Sequence, residues 1–210
     1  MIGIFGGTFD PVHYGHLRAA IEAKEVFGLD EIRLIPSGQP PHRNAPFACA
    51  DMRAEMLQLA IKNHPQLIVD TRELDRHGAS YMIDTLISLN HDYPQQSLLL
   101  IIGCDAFNKL TSWRQWHRLF DFAHIAVLTR PGFKIQQLDQ FLATRQAADK
   151  QELLNQPAGK LYFQPIAQLD ISATKIREMI ARDCNPAFLL PDPVFTFIKQ
   201  KQLYLTQTLT

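Results

Sequence analysis

Short apolar runs alternate with helical patterns along the whole chain. The runs are rich in Ile, Leu and Val and lie at residues 2–5, 32–35, 67–69, 98–102, 125–128 and 161–163. Between them, apolar residues recur with the period of an amphipathic helix. This alternation predicts an α/β fold, in which crossover helices cover both faces of an open parallel sheet.

Two segments show the clearest helical pattern. From residue 51, the pattern predicts a helix whose apolar face is core, while Arg53, Glu55 and Lys62 point elsewhere. The apolar face consists of Met52, Met56, Leu57, Ala60 and Ile61. Residues 81–90 predict a second helix with Ile83, Leu86 and Ile87 inward and Leu89 as the next candidate, and residues 134–156 predict a peripheral helical pair.

Residues 6–16 carry the strongest functional signal. They read GGTFDPVHYGH, follow the first predicted strand and lead into a helical pattern. Glycines let the backbone approach a ligand closely, and the N–H groups of a helix start favour anions. We therefore expect His13 and His16 to face a phosphate site. Neither the G-x-G-x-x-G spacing of dinucleotide-binding proteins nor the Gly-Lys-Ser/Thr ending of a P-loop is present.

Polar or glycine residues also follow other predicted strands. Ser37 follows the second strand, Gly103 and Asp105 follow the fourth, and Arg130 follows the fifth. Ligands of open parallel sheets bind at this edge, so we expect these residues to line one site. The proline-rich residues 37–50 predict a loop over the same edge, of the kind that closes on substrates.

Composition narrows the partners and the compartment. The 210 residues, 46% of them hydrophobic, suffice for one domain over residues 1–210. The 21 acidic and 21 basic residues balance, so the chain has no net positive charge that would attract nucleic acid or an anionic membrane. No apolar run approaches the roughly twenty residues of a membrane span. Three separated cysteines and the absence of a signal-peptide pattern predict a cytoplasmic protein with reduced thiols and no protein metal site.

Two blocks carry a family resemblance. GGTFDP followed by HYGH resembles the signature of the nucleotidyltransferase superfamily that uses a His-x-Gly-His motif. ISATKIR at residues 171–177 resembles the C-terminal motif of that superfamily. The segments between the blocks resemble bacterial nicotinate-nucleotide adenylyltransferases, so the resemblance covers nearly the whole chain. It implies a Rossmann-like fold with a small C-terminal helical segment.

The resemblance also implies a reaction and a set of site residues. The reaction is transfer of the adenylyl group of ATP to nicotinate mononucleotide without a covalent intermediate, with Mg²⁺ carried mainly by the ATP phosphates. Catalytic roles are implied for His13, His16 and Arg177. The implied ATP-binding residues are Gly7, Thr8, Phe9, Gly15, Gly103, Asp105, Ser172 and Thr174. The implied substrate-binding residues are Ser37, Arg43, Tyr81, Thr85, Trp113 and Arg130.

Several alternatives stay open at this stage. Met82, Arg114 and Ala173 depart from the family pattern, which leaves the recognition of the substrate carboxylate undecided. Another acceptor, nicotinamide mononucleotide or phosphopantetheine, would fit the same scaffold, and so would a nucleotide-binding protein without turnover. Asp10 is expected to brace the motif turn rather than to act as a base. The expected partners are small molecules, and assembly into a homo-oligomer is left open.

Overall fold

A parallel sheet lies at the centre of the computed structural model, which describes residues 1–39, 45–76, 78–129, 138–167 and 169–205. Its strands are β1 (Ile2–Gly7), β2 (Glu31–Pro36), β3 (Leu67–Val69), β4 (Leu98–Gly103), β5 (His124–Thr129) and β6 (Leu161–Pro165). Their order in the sheet is β3-β2-β1-β4-β5-β6, and all neighbouring strands are parallel. The predicted strands and the predicted Rossmann-like fold are confirmed.

The helices follow the strands in alternation, as predicted, and the predicted small C-terminal helical segment consists of two helices. They are α1 (Tyr14–Phe27), α2 (Ala50–Ile61), α3 (Met82–Asp92), α4 (Cys104–Phe107), α5 (Leu119–Phe122), α6 (Gln140–Ala143), α7 (Ala173–Ala181) and α8 (Asp192–Gln200). Short 3₁₀ helices lie at Leu110–Ser112, Trp116–Arg118 and Lys150–Leu154. Within 134–156, the described part therefore holds two short helical pieces. None of the helices in the described ranges is long and apolar enough to cross a membrane.

The sheet separates two apolar clusters, one on each face. β4 shows the division, because Leu99 and Ile101 belong to one cluster while Leu98, Leu100 and Ile102 belong to the other. Successive side chains of a strand point to opposite faces, so a strand buried on both sides is apolar throughout. This explains the continuous apolar run of β4.

Two predicted side-chain orientations are wrong. Arg53, expected outside the core face of α2, is 1% exposed, because it lies one turn before Met56 and Leu57 on the buried face. Its guanidinium is accommodated there by backbone carbonyls. Ile87, expected inward on α3, is 39% exposed, because the buried stripe of that helix passes through Leu86 and Leu89.

The sheet order creates a crevice at the carboxyl ends of β1 and β4. The chain builds outward from β1 through β2 to β3, then crosses back to place β4 on the other side of β1. The connections that leave β1 and β4 therefore diverge to opposite sides. Gly7 and Gly103, the last residues of these two strands, flank the opening.

Candidate active site

A cavity of about 290 Å³ occupies this crevice. The structure brings together at its wall the predicted residues Gly7, Thr8, Ser37, Tyr81, Gly103, Asp105 and Trp113. The strand-end argument predicted this for Gly7, Ser37, Gly103 and Asp105, which end or follow β1, β2 and β4. Its fourth strand end, at Arg130 after β5, lies outside the described residues. Met82 and Arg114, two of the departures from the family pattern, also line the cavity.

The turn after β1 is tight and ordered by its neighbours. Phe9 has a left-handed backbone (φ 50°) and a buried ring that lies against Gly7, where an added Cβ would come within 3.0 Å of the ring. A non-glycine residue with positive φ is strained and is retained where the surrounding structure requires it. The turn is tied to β2, because the Ser37 N–H donates to the Gly7 carbonyl at 2.9 Å. Ser37 Oγ is buried at the cavity wall without a partner among the described residues.

His13 and His16 stack at the start of α1. Their ring centroids are 3.7 Å apart, and the His13 N–H donates to Nδ1 of His16 at 3.3 Å. Because that nitrogen accepts a hydrogen bond, the neutral His16 ring carries its proton on Nε2. The ring of Phe5, which lines the cavity, lies edge-on to His16 at 6.5 Å. His16 therefore contacts a residue of the cavity wall and presents a ring N–H donor, although neither histidine lines the cavity itself.

Burial holds His13 in its neutral form. The residue is 5% exposed, and within the described chain its Nδ1 has no hydrogen-bond partner. Removal from water lowers the pKa of His13 from 6.5 to about 4, because the charged imidazolium loses its hydration. Buried polar atoms are nearly always hydrogen-bonded, so this ring nitrogen is a candidate contact for a ligand.

Gly15 is required by the histidine pair itself. A Cβ at this position would lie 3.0 Å from Cε1 and Nδ1 of the His13 ring. Any side chain here would have to displace that ring. The glycine between the two histidines therefore allows His13 to fold back over the first turn of α1.

The C-terminal motif forms a second helix start next to the first. Ser172 is the N-cap of α7, but its hydroxyl makes no capping hydrogen bond. Arg177, one turn further, donates from Nη2 to Thr174 Oγ1 at 3.3 Å and from Nη1 to the Asp10 carbonyl at 2.6 Å. Two helix N-termini, one with histidines and one with hydroxyls and an arginine, are thus joined through Asp10. Such ends bind anions through their N–H groups and dipoles.

Asp10 braces the turn, as predicted. It is 4% exposed, and its carboxylate accepts from the N–H groups of Phe47 at 2.8 Å and Ala48 at 3.2 Å. Arg53 supports the same turn from the core. Its guanidinium donates to the carbonyls of Thr8 at 2.8 Å and Ala48 at 3.2 Å, although burial lowers the pKa of Arg53.

Aromatic and cationic side chains form the far wall of the cavity. The half-buried Trp113 lies beside Arg114, whose guanidinium stacks over the ring of Tyr81 at 4.6 Å. Planar surfaces of this kind stack on a planar heteroaromatic ring. The wall is therefore suited to a base or a pyridine ring, and Arg114 adds a positive charge near it.

Thr85 lies behind the wall rather than on it. The residue is fully buried, and its hydroxyl donates to Glu73 at 2.6 Å while accepting from Arg76 at 2.9 Å. Glu73, to which the sequence reasoning assigned no role, is the residue of this group that lines the cavity. Burial raises the pKa of Glu73, and the Thr85 hydroxyl opposes this by donating to the carboxylate. In this structure Thr85 supports Glu73 and does not reach the cavity itself.

Two predicted substrate-binding residues, Arg43 and Arg130, lie outside the described residues, as does part of the predicted loop 37–50. Arg53 and Glu73 are the functional candidates that sequence reasoning missed. A signal existed for Arg53, since its spacing places it with Met56 and Leu57. No periodic signal marked Glu73, which lies in an irregular connection after β3.

A parallel sheet with two adjacent helix starts near its switch point agrees with the nucleotidyltransferase class that the two sequence motifs predicted. The model of the cytidylyltransferase-like family matches residues 4–179, and the chain belongs to that family. Curated relatives narrow the class to nicotinate-nucleotide adenylyltransferases. A Methylococcus capsulatus protein named "Probable nicotinate-nucleotide adenylyltransferase" is 47% identical over 97% of this chain and 99% of its own length. A Hahella chejuensis protein of the same name is 44% identical over 97% and 95%.

Solved structures agree on the fold. The nicotinic acid mononucleotide adenylyltransferase of Plasmodium falciparum, complexed with NaAD, is similar with a TM-score of 0.73 and 18% identity. The match covers 97% of this chain and 96% of that one. The same enzyme complexed with APC gives a TM-score of 0.72 over the same shares. At this identity the likeness concerns the fold.

Proposed function

We propose that this chain transfers the adenylyl group of ATP to nicotinate mononucleotide, with nicotinate adenine dinucleotide and pyrophosphate as products. A phosphate oxygen of the mononucleotide forms a bond to the α-phosphorus of ATP. The bond from that phosphorus to the bridging oxygen breaks, and its electron pair leaves with pyrophosphate. Both reactants are anions, so the protein's task is alignment and charge stabilisation.

One observation carries this proposal: Arg177 joins the two helix starts through the Asp10 carbonyl at 2.6 Å, beside a cavity with an aromatic wall. A triphosphate laid across the two N-termini receives donors from both. His13 and His16 serve the α-phosphate, where charge builds up in the transition state. Ser172, Thr174 and Arg177 serve the leaving pyrophosphate.

The aromatic side of the cavity serves the acceptor. Trp113 stacks on the pyridine ring, and Tyr81 and Ser37 line the same space. Asp105 lies at the opening after β4 and suits the ribose hydroxyls of ATP as a hydrogen-bond acceptor. Gly103 leaves that approach open, because a Cβ there would meet no atom within 4 Å. The close relatives' name supports this assignment of the acceptor.

The metal is proposed to arrive with the nucleotide. The described residues include no group of three or more His, Cys, Asp or Glu side chains placed to hold a metal ion. Phosphate oxygens and water are ligands that Mg²⁺ accepts readily, and the bound ion neutralises the triphosphate. The chain's own residues then bind and orient the complex. We also propose that residues 1–210 act as one domain in the cytoplasm, in keeping with three cysteines that form no disulfide.

The test is pyrophosphate release from ATP and Mg²⁺ with nicotinate mononucleotide, nicotinamide mononucleotide and phosphopantetheine in parallel. We expect a strong preference for the first acceptor. His16→Ala should lower kcat by orders of magnitude while the protein stays folded, because its ring N–H acts mainly in the transition state. Preference for another acceptor would replace the substrate assignment. Silence with all three would favour a nucleotide-binding protein without turnover.

A further inference from the structure

A hydrogen bond from the C-terminal end of the chain reaches the first motif. The Tyr204 hydroxyl donates to Asp10 Oδ1 at 2.6 Å, across 194 residues of sequence. This carboxylate oxygen also accepts the Ala48 N–H, and the other carboxylate oxygen accepts the Phe47 N–H. Tyr204 is therefore the side-chain donor in a set otherwise made of backbone groups.

The end of α8 and the turn that follows it place Tyr204 next to Asp10. α8 packs against α2, and backbone hydrogen bonds from Lys201 to Phe197 and from Leu203 to Ile198 close its end. Gln202 and Tyr204 then adopt left-handed backbone conformations, with φ of 52° and 65°. Two such residues in one short turn carry a strain that the surrounding contacts must offset. The turn directs the phenol inward to Asp10.

The other side-chain contacts of the turn after β1 do not orient the Asp10 carboxylate. Arg53 fixes the backbone at Thr8, and Arg177 fixes the Asp10 carbonyl. Neither guanidinium makes one of the hydrogen bonds that the structure gives the Asp10 carboxylate. Burial and the nearby carboxylate raise the pKa of Tyr204, so the phenol keeps the proton that it donates. His13 lies three residues after Asp10, and α1 begins at the next residue, Tyr14.

We propose that Tyr204 is a positioning residue for the reaction, acting through Asp10 on the placement of His13 and His16; this rests on the proposed function. The phenol orients the carboxylate, which holds both the segment at Phe47 and the turn into α1. A loosened turn still binds nucleotide through its N–H groups. It no longer holds the imidazoles where charge develops, and small misplacements of catalytic groups reduce rate more than binding.

The first test compares Tyr204→Phe with wild type in steady-state kinetics. The substitution keeps the ring, including its edge contact with Phe47 at 6.5 Å, and removes the hydroxyl. We expect kcat to fall about tenfold, as for loss of one hydrogen bond to a charged group, with both KM values within about twofold. Tyr162→Phe is the matched control, because that ring packs edge-on against Phe27, away from the site. An unchanged kcat in Tyr204→Phe would overturn the proposal.

A double-mutant cycle tests the route through Asp10. If Tyr204 acts through this carboxylate, Tyr204→Phe should cost little further rate in an Asp10→Ala background, which removes the acceptor of the phenol. Full multiplication of the two losses would mean that Tyr204 acts by another path and would overturn the proposal.

A readout independent of turnover separates this proposal from the proposed function. Imidazole NMR signals of His13 and His16 should shift and broaden in Tyr204→Phe but not in Tyr162→Phe. If wild type releases no pyrophosphate while these shifts occur, the proposed function fails and the positioning contact stands. Unchanged imidazole signals would contradict the positioning role whatever the activity.

Discussion

His13 should make the stability of the fold depend on pH. Its pKa is lowered from 6.5 to about 4 because the ring is buried in the folded protein and hydrated in the unfolded one. Between these values the unfolded chain binds the proton and the folded chain does not. Above the unfolded pKa the ring is neutral in both states and proton binding does not affect stability, whereas the free energy of unfolding decreases as pH falls from the unfolded pKa toward the folded one. Replacing the histidine with glutamine, which does not titrate, removes this dependence.

The magnitude follows from the two pKa values. At pH 7.5 both states hold a neutral ring, and the contribution is close to zero. At pH 5 the preference of the unfolded state for the proton amounts to about 2 kcal/mol, and the full gap corresponds to about 3 kcal/mol. A loss of this size is large against the whole free energy of unfolding of a domain.

The assay is urea unfolding of wild type and His13→Gln at pH 7.5 and pH 5. Each protein is compared with itself, so the direct effect of the substitution on stability cancels. Wild type should lose about 2 kcal/mol more than the variant on going to pH 5. The buried His124, whose pKa is also lowered, and Glu73, whose pKa is raised, contribute equally to both proteins. His91→Gln, which removes an 89% exposed side chain, gives the background for a surface histidine.

Parallel losses in wild type and His13→Gln would refute the reasoning. That result would mean that the His13 ring is hydrated or paired in solution. Burial would then not hold the His13 ring neutral in the protein without nucleotide. A greater loss in the variant would point to a stabilising protonated His13, the opposite sign.

Three further substitutions probe the site. Gly15→Ala should reduce kcat by roughly tenfold at nearly unchanged melting temperature, because the added Cβ would come within 3.0 Å of the His13 ring. A kcat equal to that of wild type would contradict this. Arg53→Met should lower the free energy of unfolding, measured by urea unfolding, by about 3 kcal/mol, because buried carbonyls lose their donor. A change below the error of the measurement would mean that the Arg53 side chain lies in solvent. Trp113→Ala should raise KM for the pyridine nucleotide about tenfold through lost stacking, with little change for ATP. Equal effects on both substrates would make Trp113 structural.

Much of the fold could be predicted because it depends on local pattern. Strands such as β4 are buried on both faces and therefore apolar throughout, and the helix starts carry their own signals in the glycines and histidines of residues 6–16. The strand-end rule predicted that Ser37, Gly103 and Asp105 would line one site, and all three line the cavity. These features need only neighbouring residues and the general geometry of parallel sheets.

The sequence by itself thus determined the succession of strands and helices along the chain and the position of both motifs at helix starts. Only the tertiary structure decided which carbonyls Arg53 meets, the place of Thr85 behind Glu73, the lowered pKa of His13 and the contact of Tyr204 with Asp10. Each of these depends on groups that are distant in the chain. A pattern with a period of two or four residues carries no record of which distant carbonyl or carboxylate a buried side chain meets, because that partner is chosen when the layers pack.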